Sequence, residues 1–256
     1  MIQQNIFIEK LNLIRPNQSF PAALCCCKSA MLDLYETDVC FLHPQERKYY
    51  ETLKFQKRIK SYLIGRLAGK KAIAALTGTN DLSRILIQAG IFTQPIVTCE
   101  NQSNIQVSIS HCEDFGAAVA FPEAHPMGID LEQINVKQNK VIEREVTESE
   151  ITLVKRLPFP YEVMLTLLWT AKEALSKVLK TGLMTPFPIF EVDQIEFRQD
   201  YMMSHYKNFA QYKAISFILG ACVCSIAYPM KTEFMINIHF LQETFHLENF
   251  YNPTGN

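Results

Sequence analysis

The chain has 256 residues, 48% of them hydrophobic and 20% charged, which excludes a disordered or fibrous polymer and leaves length for one large core or two modest ones. A formal net charge of -1 excludes a global pull toward nucleic acid or an anionic membrane, so any charge that matters is local. Met1 to Lys10 lacks the pattern of a secretory signal, and the most apolar stretch, Ala214 to Met230, is interrupted by Ser216, Gly220, Ser225 and Pro229 and too short to span a bilayer. The eight cysteines include three adjacent ones, Cys25 to Cys27, and no CxxC pair, so reduced thiols packed in the core of a cytoplasmic protein are expected, rather than disulfides or zinc.

A strand-rich opening is followed by residues 45–76, a proline-free run of good helix formers that predicts one long helix stopped at Thr77-Gly78. Ile105–Ile109 and Gly116–Phe121 read as strands joined by a polar turn from Ser110 to Asp114, and Gly128–Ile134 as a third strand. A charged helix is predicted from Glu143 to Arg156, stopped by Pro158 and Pro160, and another from Leu165 to Lys180. Two strand regions, Glu191–Arg198 and Gln211–Tyr228, close the pattern. Thr77-Gly78 and Thr181-Gly182, and likewise Gly116 and Gly220, stand 104 residues apart, and both halves run helix then paired strands. An internal duplication follows as an expectation, with lobes at 1–125 and 126–256 and a site between them.

Four strings carry chemistry. In Gly128-Ile129-Asp130-Leu131-Glu132 the alternation of a strand puts both carboxylates on one face, a set of hard oxygen ligands that suits magnesium completed by a substrate phosphate, although exposed strand acids have the same pattern. In Trp169-Thr170-Ala171-Lys172-Glu173-Ala174-Leu175-Ser176-Lys177, Glu173 and Lys177 share a helical face; they offer a third ligand or general base and a phosphate contact, or an ordinary surface ion pair. Val107-Ser108-Ile109-Ser110-His111 presents a hydroxyl and an imidazole at a strand end, fitted to phosphate or satisfied by backbone and water. Residues 45–76 hold nine basic side chains against Glu46 and Glu51, and Arg58, Tyr62, Arg66 and Lys70 recur every four residues, a ridge suited to a polyphosphate.

Together these strings resemble the Sfp-type (surfactin-synthetase-activating) 4'-phosphopantetheinyl transferase family. VSISHCEDFGAAVAF, MGIDLE and WTAKEALSK stand in the family's order over residues 107–177, and GRLAGKKAIAAL resembles its basic N-terminal helix. The resemblance implies an α+β fold, the 4'-phosphopantetheinyl transferase fold, with two similar α/β lobes related by a pseudo-twofold. It implies a monomer that moves the phosphopantetheine arm of coenzyme A to a serine of an apo acyl or peptidyl carrier protein, releasing 3',5'-adenosine bisphosphate. Asp130, Glu132 and Glu173 would hold Mg2+, Glu173 would also deprotonate the serine, and Ser110, His111, Lys172 and Lys177 would meet phosphate groups. Arg58 and Arg66 would grip the nucleotide.

Gln94 stands where many relatives place a lysine before a proline, here Pro95, so Arg58, Arg66 or Lys70 is expected to compensate. A metal-dependent nuclease is disfavoured because no acid-x-lysine string follows Asp130 and the net charge gives little affinity for DNA. A non-catalytic coenzyme A or carrier-protein binding module of the same fold would have no need for Asp130, Glu132, Glu173 and Lys177 together. The Cys25–Cys27 run and the tail from Glu243 have no role in the family pattern.

Overall fold

The computed structural model describes residues 5–28, 39–99 and 103–247. It is α+β and splits into two compact units, Met1–Pro126 with Thr232–Ile236, and Met127–Lys231 with Asn237–Asn256. The return of Thr232–Ile236 to the first unit, where Glu233 pairs with Ile14, is not foreseen by a linear division at residue 125. Of the tail, residues 248–256 lie outside the described residues.

In the first unit, β1 (Asn5–Arg15) and β2 (Gln18–Lys28) form a hairpin. The helices α1 (Pro44–Tyr50) and α2 (Gln56–Thr77) and a ribbon of β3 (Ile85–Ala89) with β4 (Pro95–Cys99) follow. The hairpin β5 (Ile105–Cys112) and β6 (Phe115–Pro122) completes an antiparallel sheet in the order β1-β2-β6-β5. Leu63, Ile64, Ala68, Ala72 and Ile73 of α2 pack with Cys25, Cys27, Val107, Ala118 and Ala120 of the sheet. Gly116 permits this contact, since a Cβ there would lie 2.9 Å from the Ile64 carbonyl oxygen.

The single helix expected over 45–76 is broken at residues 51–55, and the reason is Glu46. This residue closes a capping box with His43, takes the Ile87 N–H at 3.0 Å, and meets the buried Lys70 ammonium at 2.6 Å. In an unbroken helix residues 46 and 70 would stand about 36 Å apart. Lys70 is therefore a core residue, held also by the Leu82 and Ile85 carbonyls, and does not extend the basic ridge.

In the second unit, β7 (Gly128–Gln133) leads into the short α3 (Asn139–Ile142), α4 (Glu148–Lys155) and α5 (Tyr161–Val178). Four strands follow, β8 (Val192–Phe197), β9 (Met202–Tyr206), β10 (Tyr212–Leu219) and β11 (Cys222–Pro229), in the sheet order β7-β11-β10-β9-β8, and α6 (Ile238–Thr244) ends the unit. The charged helix begins at Glu148 rather than Glu143 because Thr147 caps it in a reciprocal box with Glu150. Strand β9 was not foreseen, and Gln211–Tyr228 is two strands turned at Gly220-Ala221.

The second unit repeats the Glu46 device. Glu150, again the third residue of a capped helix, takes the Val192 N–H at 2.9 Å and pairs with the fully buried Lys172 at 2.6 Å. Glu46 and Glu150 are 104 residues apart, the spacing noted in the sequence. The strand register is different. The β5–β6 turn is Glu113-Asp114 and the β10–β11 turn Gly220-Ala221, with left-handed backbone at Glu113 (φ 49) and Gly220 (φ 62), so Gly220 answers to Glu113 and not to Gly116. Counted from those turns, Cys25 and Cys27 lie opposite Ala118 and Gly116, where Asp130 and Glu132 lie opposite Ser225 and Val223. One residue beyond the buried lysines stand Lys71 and Glu173. In the first unit Cys25, Cys27 and Lys71 thus hold the places of the three acids. Burial raises the thiol pKa of Cys25 and pushes Cys27 up to about 12, the behaviour of packing residues.

Candidate active site

The acidic strand and the central helix of the second unit meet because of two small contacts. A Cβ at Gly128 would fall 2.1 Å from the Ala174 carbonyl oxygen, so only glycine lets β7 lie this close to α5. Behind it a buried hydroxyl ladder, Thr170 to Ser225 at 2.7 Å and Ser225 to Ser216 at 2.7 Å, ties the helix to β11 and β10. The Tyr206 hydroxyl donates to the Ala171 carbonyl at 2.6 Å and fixes the helix over β9.

On that support Asp130 is buried and accepts the Lys177 ammonium at 2.8 Å on Oδ1; Lys177 also donates to the Ile129 carbonyl at 2.9 Å. Glu132 stands two residues along the same strand. Glu173 accepts from the Ser176 hydroxyl. Burial first, and then the neighbouring acids, raise the carboxyl pKa values of Glu132 and Glu173 to about 7 against an ordinary 4.5. Asp130 acts on both and Glu173 acts on Glu132, so the three carboxylates share one electrostatic neighbourhood.

As they stand, no three His, Cys, Asp or Glu side chains among the described residues are gathered closely enough to hold a metal ion. Lys177 is the cation that Asp130 holds, and Glu132 and Glu173 flank the pair. The chemistry of the donor set is that of a site for a hard divalent ion: three carboxylates, two of them raised in pKa by burial first and then by the neighbouring acids, whose charge an added cation would offset.

Lys172, expected at a phosphate, is instead sealed in the core. Its side chain is 0% exposed and its ammonium donates to Glu150 and to the Glu145 carbonyl rather than turning to solvent. Its position differs from that of Lys177 by five residues, which turns it to the opposite side of α5.

The first unit has its own cavity, of about 710 Å³, into which Arg58, Arg66 and His111 are gathered beside Tyr49 and Tyr62. The Arg66 guanidinium lies 4.9 Å from the Tyr62 ring centre, with Glu46 at 3.5 Å from its Nε, and the Tyr62 hydroxyl is anchored on the Glu46 carbonyl. Strand β5 runs through Cys112, so Ser110 and His111 belong to a strand and not to a turn. His111 therefore faces the cavity with Ile109, whereas Ser110 is buried on the other face and is not brought there. Gln94 takes the Phe92 N–H on its side chain and folds against Gly90, so it closes its own turn rather than replacing a lysine. With Lys70 in the core, Arg58 and Arg66 are the cations left to compensate.

Sequence reasoning did not see Gly128 or the Thr170-Ser225-Ser216 ladder as parts of the site. Gly128 and Thr170 do stand inside the strings that carried the acids, and that adjacency was the available signal.

Residues 126–226, the segment that holds Asp130, Glu132, Glu173 and Lys177, match the family model of the 4'-phosphopantetheinyl transferase superfamily. Solved structures similar to the chain include a holo-(acyl-carrier-protein) synthase from Bacillus anthracis in complex with CoA, at 24% identity and a TM-score of 0.33 over 46% of this chain and 93% of that one. A holo-ACP synthase from Plasmodium yoelii is similar at 20% identity and a TM-score of 0.32, over 46% of this chain and 95% of that one. No curated protein matches the chain. No described helix is long and apolar enough to cross a membrane.

Proposed function

We propose that the protein is a 4'-phosphopantetheinyl transferase that moves the phosphopantetheine arm of coenzyme A onto a serine of an apo acyl or peptidyl carrier protein. The observation that carries this reading is the grouping of Glu132 and Glu173 around the Asp130–Lys177 pair, on a strand and helix within the segment that matches the superfamily.

Asp130, Glu132 and Glu173 are the residues that would hold Mg2+, which when bound supplies charge neutralisation at a diphosphate. Glu173, with a carboxyl pKa of about 7, is suited to take the proton of the carrier serine hydroxyl near neutral pH. The hydroxyl oxygen attacks the β-phosphate, its bond to phosphorus forms as the bridging bond breaks, and 3',5'-adenosine bisphosphate leaves with the electron pair. Lys177 stabilises charge on the phosphoryl oxygens, while Arg58, Arg66 and His111 are proposed to take the nucleotide's phosphates. The protein is proposed to act as a monomer.

The test is incubation of the full chain with coenzyme A, Mg2+ and a panel of apo carrier proteins, read by mass spectrometry. A gain of the arm's mass on a carrier serine is expected. Tight coenzyme A binding without any mass gain would overturn transfer in favour of a binding module. In Glu173→Gln, coenzyme A binding should remain measurable while transfer falls by at least about 100-fold; wild-type turnover would remove Glu173 from the chemistry.

A further inference from the structure

In the first unit a single buried carboxylate faces two cations. Glu46, its side chain 2% exposed, meets the Lys70 ammonium at 2.6 Å through Oε2 and stands 3.5 Å from the Arg66 Nε through Oε1. The carboxylate is fixed from two further sides, by the His43 N–H at 2.9 Å and the Ile87 N–H at 3.0 Å. Arg66 is held by less. Its Nε is buried without a hydrogen-bond partner, its guanidinium lies over the Tyr62 ring, and the Tyr62 hydroxyl is tied to the Glu46 carbonyl at 3.2 Å. From this buried anchor the side chain lines the cavity that also receives Arg58 and His111.

A comparison within the chain separates what the Glu–Lys pair does for the fold from what it does here. Glu150 and Lys172 form the same buried pair at 2.6 Å in the second unit. Counting back four and eight residues from the buried lysine gives Arg66 and Tyr62 in the first unit, but Leu168 and Met164, both fully buried in an apolar core, in the second. Locking the capped helix to the central one therefore needs no arginine, and Arg66 on the wall of a cavity is an addition peculiar to the first unit.

The charges show what that addition allows. A buried glutamate facing Arg66 alone would cancel the guanidinium's charge and leave the cavity little attraction for an anion. Here one carboxylate stands against two cations, so one positive charge is left over, and Arg66, 21% exposed where Lys70 is 0% exposed, is the cation that can present it. A guanidinium suits the task, because Nε can face inward while the outer nitrogens keep the fork that matches a phosphate.

Building on the proposed function, we infer that Glu46 and Lys70 are positioning residues of the nucleotide site: Glu46 holds Arg66 from its Nε side, Lys70 cancels the carboxylate's charge, and the guanidinium keeps its own charge and outer donors for a phosphate of the ligand.

The probe is 3',5'-adenosine bisphosphate, titrated calorimetrically into the full chain without a divalent ion and well below the unfolding midpoint of each variant. Lys70→Met leaves Glu46 to pair with Arg66 alone and should weaken binding roughly 10- to 100-fold, although Lys70 never meets the ligand. A lysine that served only the fold would lower the midpoint and leave the affinity of the folded chain unchanged. Glu46→Gln/Lys70→Met removes both charges of the pair and should regain most of the lost affinity. Arg66→Lys should weaken binding by at least about 10-fold, since an ammonium drawn onto Glu46 has no second nitrogen to offer outward. In transfer assays Lys70→Met should raise KM for coenzyme A more than it lowers kcat. Wild-type bisphosphate affinity in a folded Lys70→Met, or a folded double variant that binds no better than Lys70→Met, would overturn the inference. Should those variants fail to fold, wild-type affinity in Arg66→Lys overturns it equally, as does the absence of bisphosphate binding to the wild-type chain. The carrier mass-gain assay stands apart from these readouts, so a protein that transfers the arm but shows none of them retains the transferase reading and loses the role of Glu46 and Lys70.

Discussion

Lys177 reaches from α5 across to β7 and closes on Asp130 at 2.8 Å, joining the only two elements that carry the acidic residues of the site. Asp130 is almost fully buried and the lysine side chain is 28% exposed, so the bond is partly shielded from water and not a loose surface pair. Replacing it by Lys177→Met is expected to lower stability by about 2 kcal/mol, as for loss of a hydrogen bond to a charged group. Urea unfolding checks this, and a midpoint equal to that of the wild type would show that the pair contributes nothing in solution.

Lys172→Met should behave differently from Lys177→Met. It strands Glu150 in the core, which is expected to cost about 3–5 kcal/mol, while the Mn2+ affinity of whatever remains folded stays at the wild-type value. Lys70→Met should do the same to the first unit through Glu46. A stable Lys172→Met protein with weakened coenzyme A binding would return Lys172 to the phosphate role assigned from the motif.

The acid pair Glu132 and Glu173 sets a pH dependence. Both are raised to about 7 from 4.5, so between those values the folded chain holds more protons than the unfolded one, and stability falls as pH rises. The favourable contribution is complete below about pH 4.5 and lost as pH passes 7. Thermal melts of the metal-free protein across pH 5 to 8 should show this descent, once the titration of other groups is subtracted with the double variant Glu132→Gln/Glu173→Gln. Added Mg2+ should flatten it, because the ion binds the deprotonated pair. A wild-type profile parallel to that of the double variant would refute the shifts.

Gly128→Ala places a methyl group against backbone rather than against a flexible side-chain end. With 2.1 Å between the new Cβ and the Ala174 carbonyl oxygen, β7 must withdraw from α5. The expected loss is about 1–3 kcal/mol, accompanied by a marked loss of transfer, since Asp130 and Glu132 move with the strand. Calorimetry and the mass assay together check both parts.

Much of this was legible from the residues. The strand alternation of Asp130 and Glu132, the shared helical face of Glu173 and Lys177, and the strands around His111 all follow from local periodicity, which short-range geometry enforces. What escaped depends on partners far along the chain. Nothing near Lys172 or Lys70 in the sequence marks them as buried, because the glutamates that draw them inward lie 22 and 24 residues away. The break after Tyr50 has the same origin: the run from 45 to 76 contains good helix formers throughout, and a tertiary ion pair overrides them. Ser110 was misplaced by extending a turn three residues too far, over Ser110 to Cys112, and in a strand one residue exchanges the faces. The β9 strand, Met202–Tyr206, is short and mixes apolar with polar residues, so its pairing with β8 and β10 decides its structure.

The places taken by Cys25, Cys27 and Lys71 in the first unit have a quantitative corollary. Two copies of the acidic constellation would load two ions per molecule; this chain has hard oxygen donors at one set of places and sulfur and an ammonium at the other. Its titration with a divalent cation should therefore saturate at one equivalent, and the second copy is left as ballast for the hydrophobic interior.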